Sequence, residues 1–465
     1  MTIETLPDDV LLAIFTSISH LHQFEDIYPW HTLVHVCQRW RYLVFASPGH
    51  LDLRLECTIE TPTREMLGIW PALPIDIMDE SGSMEGVDDI IAALEQRDRV
   101  CQITLNDIPG CKLDMLVPAM LGPFPALQGI IFGTYELGSA MAVVPDSFLG
   151  GSAPQLQWLT LQAIPFPALP TLLSSTTNLG KLQLAGIPRS GYISPEAMVN
   201  CLSAMPRLST LRFEFDSPES FPNDESRHHP PLARATLPAL RDLLFGGVNE
   251  YFEDLIARID TPVIHALDIT FFHQPFYHFS QLTQFIGRIE AFKSPADTSA
   301  ILLHGAAEVS VRARTRTNEE PAPVLRLGIP CDELHLQLRY FVQVCSSSML
   351  PFFDAEYLAV SSVDQLQRTR SEPIAENFLW LDLLHSFSAV KNLKIDKNIL
   401  APVAHALKKV VKERITEVFP AIQELSIGDS EHLPSGPVLR AIEKFATARG
   451  LFARLDDHPH RWVAG

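Results

Sequence analysis

The sequence predicts a mixed α/β chain, with a small N-terminal helical segment followed by an irregular solenoid of alternating strands and helices. Two observations carry this prediction. Helix-period apolar stripes occupy the first 55 residues, and from about residue 85 a triplet of the form apolar–x–x–apolar–x–apolar keeps returning. Length adds a bound: 465 residues, 46% of them hydrophobic, exceed what one compact core usually serves and leave no room for disorder as the theme.

The first helix begins near Pro7, a residue suited to the first helical position, where a missing N–H costs nothing. Thr5 can cap it, with Asp8 three residues on as in a capping box. Asp8 and Asp9 put negative charge at the positive end of the helix dipole. Val10, Ile14 and Ile18 recur at helical spacing, and Leu11 and Phe15 widen the stripe. A second helix is expected through WHTLVHVCQRWRYLVF, with Leu33, Val36, Cys37, Trp40, Leu43 and Val44 on one face and Pro48–Gly49 ending it. This helical unit covers residues 1–55, and 56–84 is expected to be a linker or a first irregular turn.

The repeats follow over 85–465. The triplets are Val100/Ile103/Leu105, Leu127/Ile130/Phe132, Leu156/Leu159/Leu161, Leu179/Leu182/Leu184, Leu208/Leu211/Phe213, Leu240/Leu243/Phe245 and Ile264/Leu267/Ile269, with later copies at Val390/Leu393/Ile395 and Ile422/Leu425/Ile427. The middle residues of the first seven stand 23 to 32 apart, and the last two members alternate as a strand does. Helical stripes lie between them: Val87/Ile90/Ile91/Leu94, Leu113/Leu116/Val117/Met120, Met198/Val199/Leu202/Met205 after a Ser194-Pro195-Glu196 start, Phe252/Leu255/Ile256/Ile259 and Leu282/Phe285/Ile286/Ile289. Strand plus helix at this period is the unit of a leucine-rich-repeat solenoid, in which neighbours stack because no unit can bury its apolar edge alone.

Regular repeats of that kind carry Asn three residues after the last apolar strand position. Here those places hold Ile108, Tyr135, Ile164, Ile187, Asp216, Val248, Phe272, Asn398 and Ser430, so apolar packing is expected to replace the polar ladder. The Gly150–Ser152 stretch reads as a turn before the Leu156 strand. Two regions depart from the pattern. Residues 217–234, SPESFPNDESRHHPPLAR, are polar and proline-rich, as an exposed insertion would be. Residues 293–376 offer only Val309/Val311, Leu325/Leu327 and Leu334/Leu336/Leu338 as strands, with RARTRTNEEPAP as a loop.

LPDDVLLAIF followed by VCQRWRYLV resembles the F-box: Leu-Pro near the start, then Val-Cys and Trp-Arg on a later helix. AALEQRDRVCQITL, PDSFLGGSAPQLQWLTL and GYISPEAMVNCLSAMPRLSTLRFEF are similar to recurring phrases of a large fungal F-box family. The resemblance implies docking on the Skp adaptor of a cullin–RING ubiquitin ligase. It implies that Leu6, Pro7, Val10, Leu11, Ile14, Phe15, Leu33, Val36, Cys37 and Trp40 supply the packing and the adaptor contact. The segment SISHLHQFEDIYPWHTL is longer than the usual F-box linker, which can alter adaptor affinity. Physical reasoning agrees with a partner: some fifty residues of short helices cannot bury so many large apolar side chains internally.

The expected function is therefore a substrate-recruiting, non-catalytic adaptor in which the repeats hold an unknown protein target. The alternatives are a ligase-independent interaction scaffold with the helices as a solenoid cap, and a hydrolase within 293–376. A net charge of -19 speaks against nucleic acid and anionic membranes as partners. Seven scattered cysteines without a C-x-x-C pair, and an acidic N-terminus unlike a signal peptide, suit a cytoplasmic or nuclear protein. No cofactor or metal motif occurs: His228-His229, His273 with His278, and His458 with His460 lack ligand partners at metal spacing. Cys37 beside His35 reads as packing rather than a thiol–imidazole pair. Candidate target-facing residues between the apolar strand positions are Thr104, Thr160, Gln183, Arg212, Asp268, Lys394 and Ser426, with no arginine cluster of the kind that reads phosphate.

Overall fold

The computed structural model describes residues 6–21, 30–51, 53–134, 143–221, 234–272, 274, 277–292, 298–304, 308–315, 324–330, 338–339, 342–343, 354–362, 376–413, 417–428, 436–453 and 461–464. The chain forms two compact units, Met1–Leu179 and Gly180–Gly465. Among the described residues no helix is long and apolar enough to cross a membrane.

The first unit opens with helices α1 (Asp8–Leu21), α2 (Trp30–Val34) and α3 (Gln38–Ala46). Strands β1 (Leu55–Cys57), β2 (Ile75–Asp79), β3 (Val100–Leu105), β4 (Gly129–Gly133) and β5 (Trp158–Gln162) follow, each parallel to the next in chain order. Helices α4 (Thr63–Ile69), α5 (Val87–Leu94) and α6 (Gly110–Leu116) fill the first three crossovers. Register stacks the middle apolar residues in one column: Cys57, Ile77, Ile103, Ile130 and Leu159. Each is buried, and each large aliphatic so placed contributes about 1.5–3 kcal/mol.

The stretch 56–84 is more regular than the sequence suggests, because it holds most of β1, all of α4 and β2. Its triplet is hidden by one residue. Asp79 stands in register with Leu105, in the inner apolar column, and is buried there in an ion pair with the fully buried Lys112. Lys112 also donates to the Ser83 carbonyl, and Asp79 Oδ1 accepts from the Ser81 amide at 3.1 Å and its hydroxyl at 2.9 Å. A carboxylate in that place defeats an apolar pattern search, while the ammonium and the turn donors let it stay in the core.

The second unit begins with β6 (Lys181–Ile187), β7 (Thr210–Phe215), β9 (Asp242–Gly247) and β11 (Ala266–Phe271), again parallel, with helices α7 (Pro195–Ser203), α8 (Asn249–Ala257) and α9 (Ser280–Arg288) between or after them. Two-residue strands β8 (Ala235–Thr236) and β10 (Ile259–Asp260) pair separately. Leu182, Leu211, Leu243, Leu267 and Leu325 share a column. All nine sequence triplets are buried throughout.

The sheet order then leaves the chain order. After β11 the chain passes to β12 (Thr298–His304), turns back through β13 (Glu308–Thr315) and returns as β14 (Val324–Pro330) beside β11. β13 is antiparallel to both neighbours, and β15 (Tyr357–Ser362) joins parallel to β12. This fold-back is why the triplet vanishes between 293 and 376. It also corrects the expected loop, since Arg312–Thr315 belong to β13; residues 316–323, Leu334 and Leu336 lie outside the described residues. Strands β16 (Asn392–Ile395) and β17 (Glu424–Ile427) resume the parallel run, closed by antiparallel β19 (Arg461–Ala464) and β18 (Leu451–Ala453).

Where the asparagine ladder is missing, Ile108, Ile164 and Ile187 are buried, so apolar packing takes its place at those turns. The insertion at 217–234 starts less exposed than expected: Phe221 packs on Phe215 at 4.2 Å between ring centroids and meets Tyr192 and Tyr251. Residues 222–233 lie outside the described residues. The Gly150 turn is left-handed (φ +67°), and a Cβ there would stand 3.1 Å from the Pro123 nitrogen, so glycine is favoured on both counts.

Candidate functional site

The helical unit divides its apolar residues between two faces. Leu11 and Phe15 of α1 are fully buried, whereas Val10 and Ile14, one residue earlier in each turn, remain 40% and 36% exposed. Leu33, Leu43 and Val44 are buried, and half-buried Trp40 lies against Phe15 with ring centroids 4.8 Å apart. Leu6 is half-buried and Pro7 exposed. The side chain of Ile18 and residue Thr5 lie outside the described residues. Pro7 precedes the helix rather than opening it: its carbonyl accepts from the Leu11 amide at 3.1 Å, and Asp8 is the first helical residue.

The expected second helix is two helices. His35 and Val36 close α2 in a tight turn, and Cys37 is fully extended (φ −158°, ψ 168°) before α3 starts. Arg41 spans the break, with its Nε donating to the Val34 carbonyl at 2.9 Å and its amide to the Cys37 carbonyl at 3.0 Å. The break turns Val36, 58% exposed, and Cys37 outward, so the expected single face through Val36 and Cys37 does not form. Cys37, read from the sequence as a packing residue, is therefore exposed rather than packed in the interior. Tyr42, 75% exposed, was not among the expected site residues. Its only sequence signal is its offset of two from Trp40, which places it on the opposite side of α3.

Arg39 fixes α1 against α3, since its side chain donates to Asp8 Oδ1, with Nε at 2.9 Å, and to the Leu6 carbonyl at 2.6 Å. The other side of the helical unit is tied to the first repeat. Trp30 Nε1 donates to the Arg54 carbonyl at 3.2 Å, and Trp30, Phe45 and His31 surround Trp70 at 5.4, 6.0 and 5.6 Å between ring centroids. Pro7, Val10, Ile14, Val36 and Tyr42 are thereby left exposed on a braced scaffold. A shallow cavity of about 410 Å³ beside Tyr42 is lined by Gln38, Arg41, Phe45 and Ala46. These exposed side chains offer apolar area to a partner.

On the open strand faces, Thr104, Thr160, Gln183, Arg212, Asp268 and Ser426 are half-buried and Lys394 exposed. The charges of the second unit pair among themselves: Arg212 with Glu214 at 2.8 Å, and Arg326 with Asp268 at 3.1 Å. Of the histidines weighed as ligands, His278 is exposed and its amide donates to Asn249 Oδ1 at 2.6 Å; His228, His229, His273, His458 and His460 lie outside the described residues.

Fold and site together define a strand–helix repeat protein of leucine-rich-repeat type with an N-terminal three-helix unit. No family model matches the chain, and no curated protein matches it. Among solved structures, a leucine-rich repeat-containing protein, LegL7, from Legionella pneumophila is 11% identical, with 84% of this chain and 97% of that chain covered at a TM-score of 0.27. A superposition that loose carries no argument, and the repeat architecture rests on strand register and burial.

Proposed function

We propose that this chain is a substrate-recruiting subunit of a Skp–cullin–F-box ubiquitin ligase, with the three-helix unit docking the adaptor and the repeats holding a protein target. The observation that carries this reading is the division of α1: Leu11 and Phe15 close the interior while Val10 and Ile14 stay open to solvent. Full burial of a large aliphatic side chain contributes about 1.5–3 kcal/mol, and a docked partner that covers the exposed two-fifths of Val10 and Ile14 gains a fraction of that for each. Pro7, Val36 and Cys37 are exposed as well. The role is non-catalytic. Holding adaptor and target on one chain raises the effective concentration of target at the ligase.

Pull-down with a purified Skp-type adaptor tests this. The wild-type chain binds, and Leu6→Ala with Pro7→Ala weakens binding; undiminished binding by the double variant sinks the proposal. A second reading is a ligase-independent scaffold in which the helices cap the repeats. The Trp30–Phe45–Trp70 cluster favours it, because it seals the end of the first unit at β1, whose only strand partner among the described residues is β2. In that case no adaptor binds.

A further inference from the structure

The open face of the first unit differs from that of the second. Across β1–β5 one outward column runs Glu56, Asp76, Gln102, Gly129, Trp158, and the next runs Met78, Thr104, Ile131, Thr160. Trp158 lies across Gly129 so closely that a Cβ there would stand 1.9 Å from the indole Cε2. Glycine at 129 therefore serves the indole, which rests half-buried on the face near Ile131 and Thr160. Met78, 40% exposed, lies in the Ile131 column with Thr104 between them and also lines a cavity of about 780 Å³ at the C-terminal ends of β1 and β2.

That cavity is lined by apolar Ile59, Met66 and Met78 and by the carboxylates Glu60 and Glu80, with no lysine or arginine among its described lining residues. Arg54 pairs with Asp76 at 3.1 Å, and Lys112 with buried Asp79. His31, also in the lining, is held toward its neutral form by burial and by neighbouring His35, so it does not neutralise Glu60 and Glu80. In the second unit, by contrast, Arg212 with Glu214 and Arg326 with Asp268 cancel on the strand face.

We propose that the open face of β1–β5 docks a basic peptide segment of a protein partner, an arginine or lysine entering the Glu60–Glu80 cavity and aliphatic side chains covering Met78, Ile131 and Trp158. Apolar surface supplies the affinity. The carboxylates select the sign of charge and reject acidic segments, as complementary fields do at interfaces. The site deepens the proposed function by naming the chemistry of the target, and the cavity lining includes no residue of α1 and not Val36.

The test uses the full chain and a fluorescein-labelled hexapeptide of alternating arginine and leucine, followed by anisotropy. A hexapeptide with glutamate for arginine is the control. The arginine peptide binds saturably and the glutamate peptide does not. Glu60→Gln/Glu80→Gln weakens binding at least tenfold, as does Met78→Lys, while Arg212→Gln on the second unit changes it less than twofold. Equal binding by the Glu60/Glu80 variant, or no binding by the wild-type chain, overturns the proposal. Adaptor pull-down is run on the same variants. Peptide binding without adaptor binding defeats only the ligase reading, and adaptor binding without peptide binding defeats only this one.

Discussion

Trp30 and Trp70 meet edge-on, their ring centroids 5.4 Å apart at 84°, and through this contact the helical unit is braced on the first repeat. Phe45 touches both rings at 6.0 Å, and Trp30 adds a hydrogen bond to the Arg54 carbonyl. Trp70→Ala removes the shared partner of this cluster. A loss of roughly 2–4 kcal/mol of stability is expected for a half-buried indole, read as a lower urea midpoint. Limited proteolysis should then cut first between residues 46 and 63. An unchanged midpoint contradicts the bracing role.

The two faces of α1 respond differently to substitution. Leu11→Ala opens a cavity in a fully buried site and costs about 2–5 kcal/mol. Val10→Ser and Ile14→Ser, on the open face, change stability by no more than about 0.5 kcal/mol each. Thermal melts of the three variants check the division; similar losses in all three would mean that Val10 and Ile14 are covered within the chain.

The Asp79–Lys112 pair gives a sign reversal. Lys112→Met alone leaves a buried carboxylate without its cation and costs about 3–5 kcal/mol. Adding Asp79→Leu completes the apolar column beside Leu105 and should restore most of the loss. Urea midpoints of the single and double variants decide it, and a double variant no more stable than the single one refutes the account.

Thiol accessibility tests the α2–α3 break. Cys37 and Cys111 are exposed, while Cys57, Cys101 and Cys201 are buried. Burial raises the pKa of Cys57 and Cys201, which lowers their thiolate fraction at neutral pH and slows them further. In a Cys331→Ser/Cys345→Ser background, an aromatic disulfide reagent should modify Cys37 and Cys111 quickly and the other three only after denaturation. Slow reaction of Cys37 would place it in an unbroken helix.

The repeat was legible because burial and register both follow from one alternation: every triplet that reads apolar in sequence is buried, and the middle residues stack in columns. Legibility failed where a single residue or a reversal broke that alternation. Asp79 hid the second strand because an ion pair made by a residue 33 positions away satisfies it, which no local pattern records. The β12–β13 fold-back hid the middle of the second unit because antiparallel pairing needs no triplet. In the helical unit the apolar residues were legible but their direction was not: the break at Cys37, spanned by the Arg41 side chain, leaves Val36 exposed. Tyr42 was missed because an exposed aromatic carries no periodic signal.

The central claim is that the open apolar face of α1 is a docking surface for a Skp-type adaptor. Isothermal titration of purified adaptor into the full chain, wild type and Val10→Glu/Ile14→Glu, tests it most directly. The wild-type chain should bind, and the double variant, folded to the same melting temperature within a few degrees, should lose at least tenfold in affinity. Equal affinity of the two chains, or no heat of binding from the wild type, contradicts the claim.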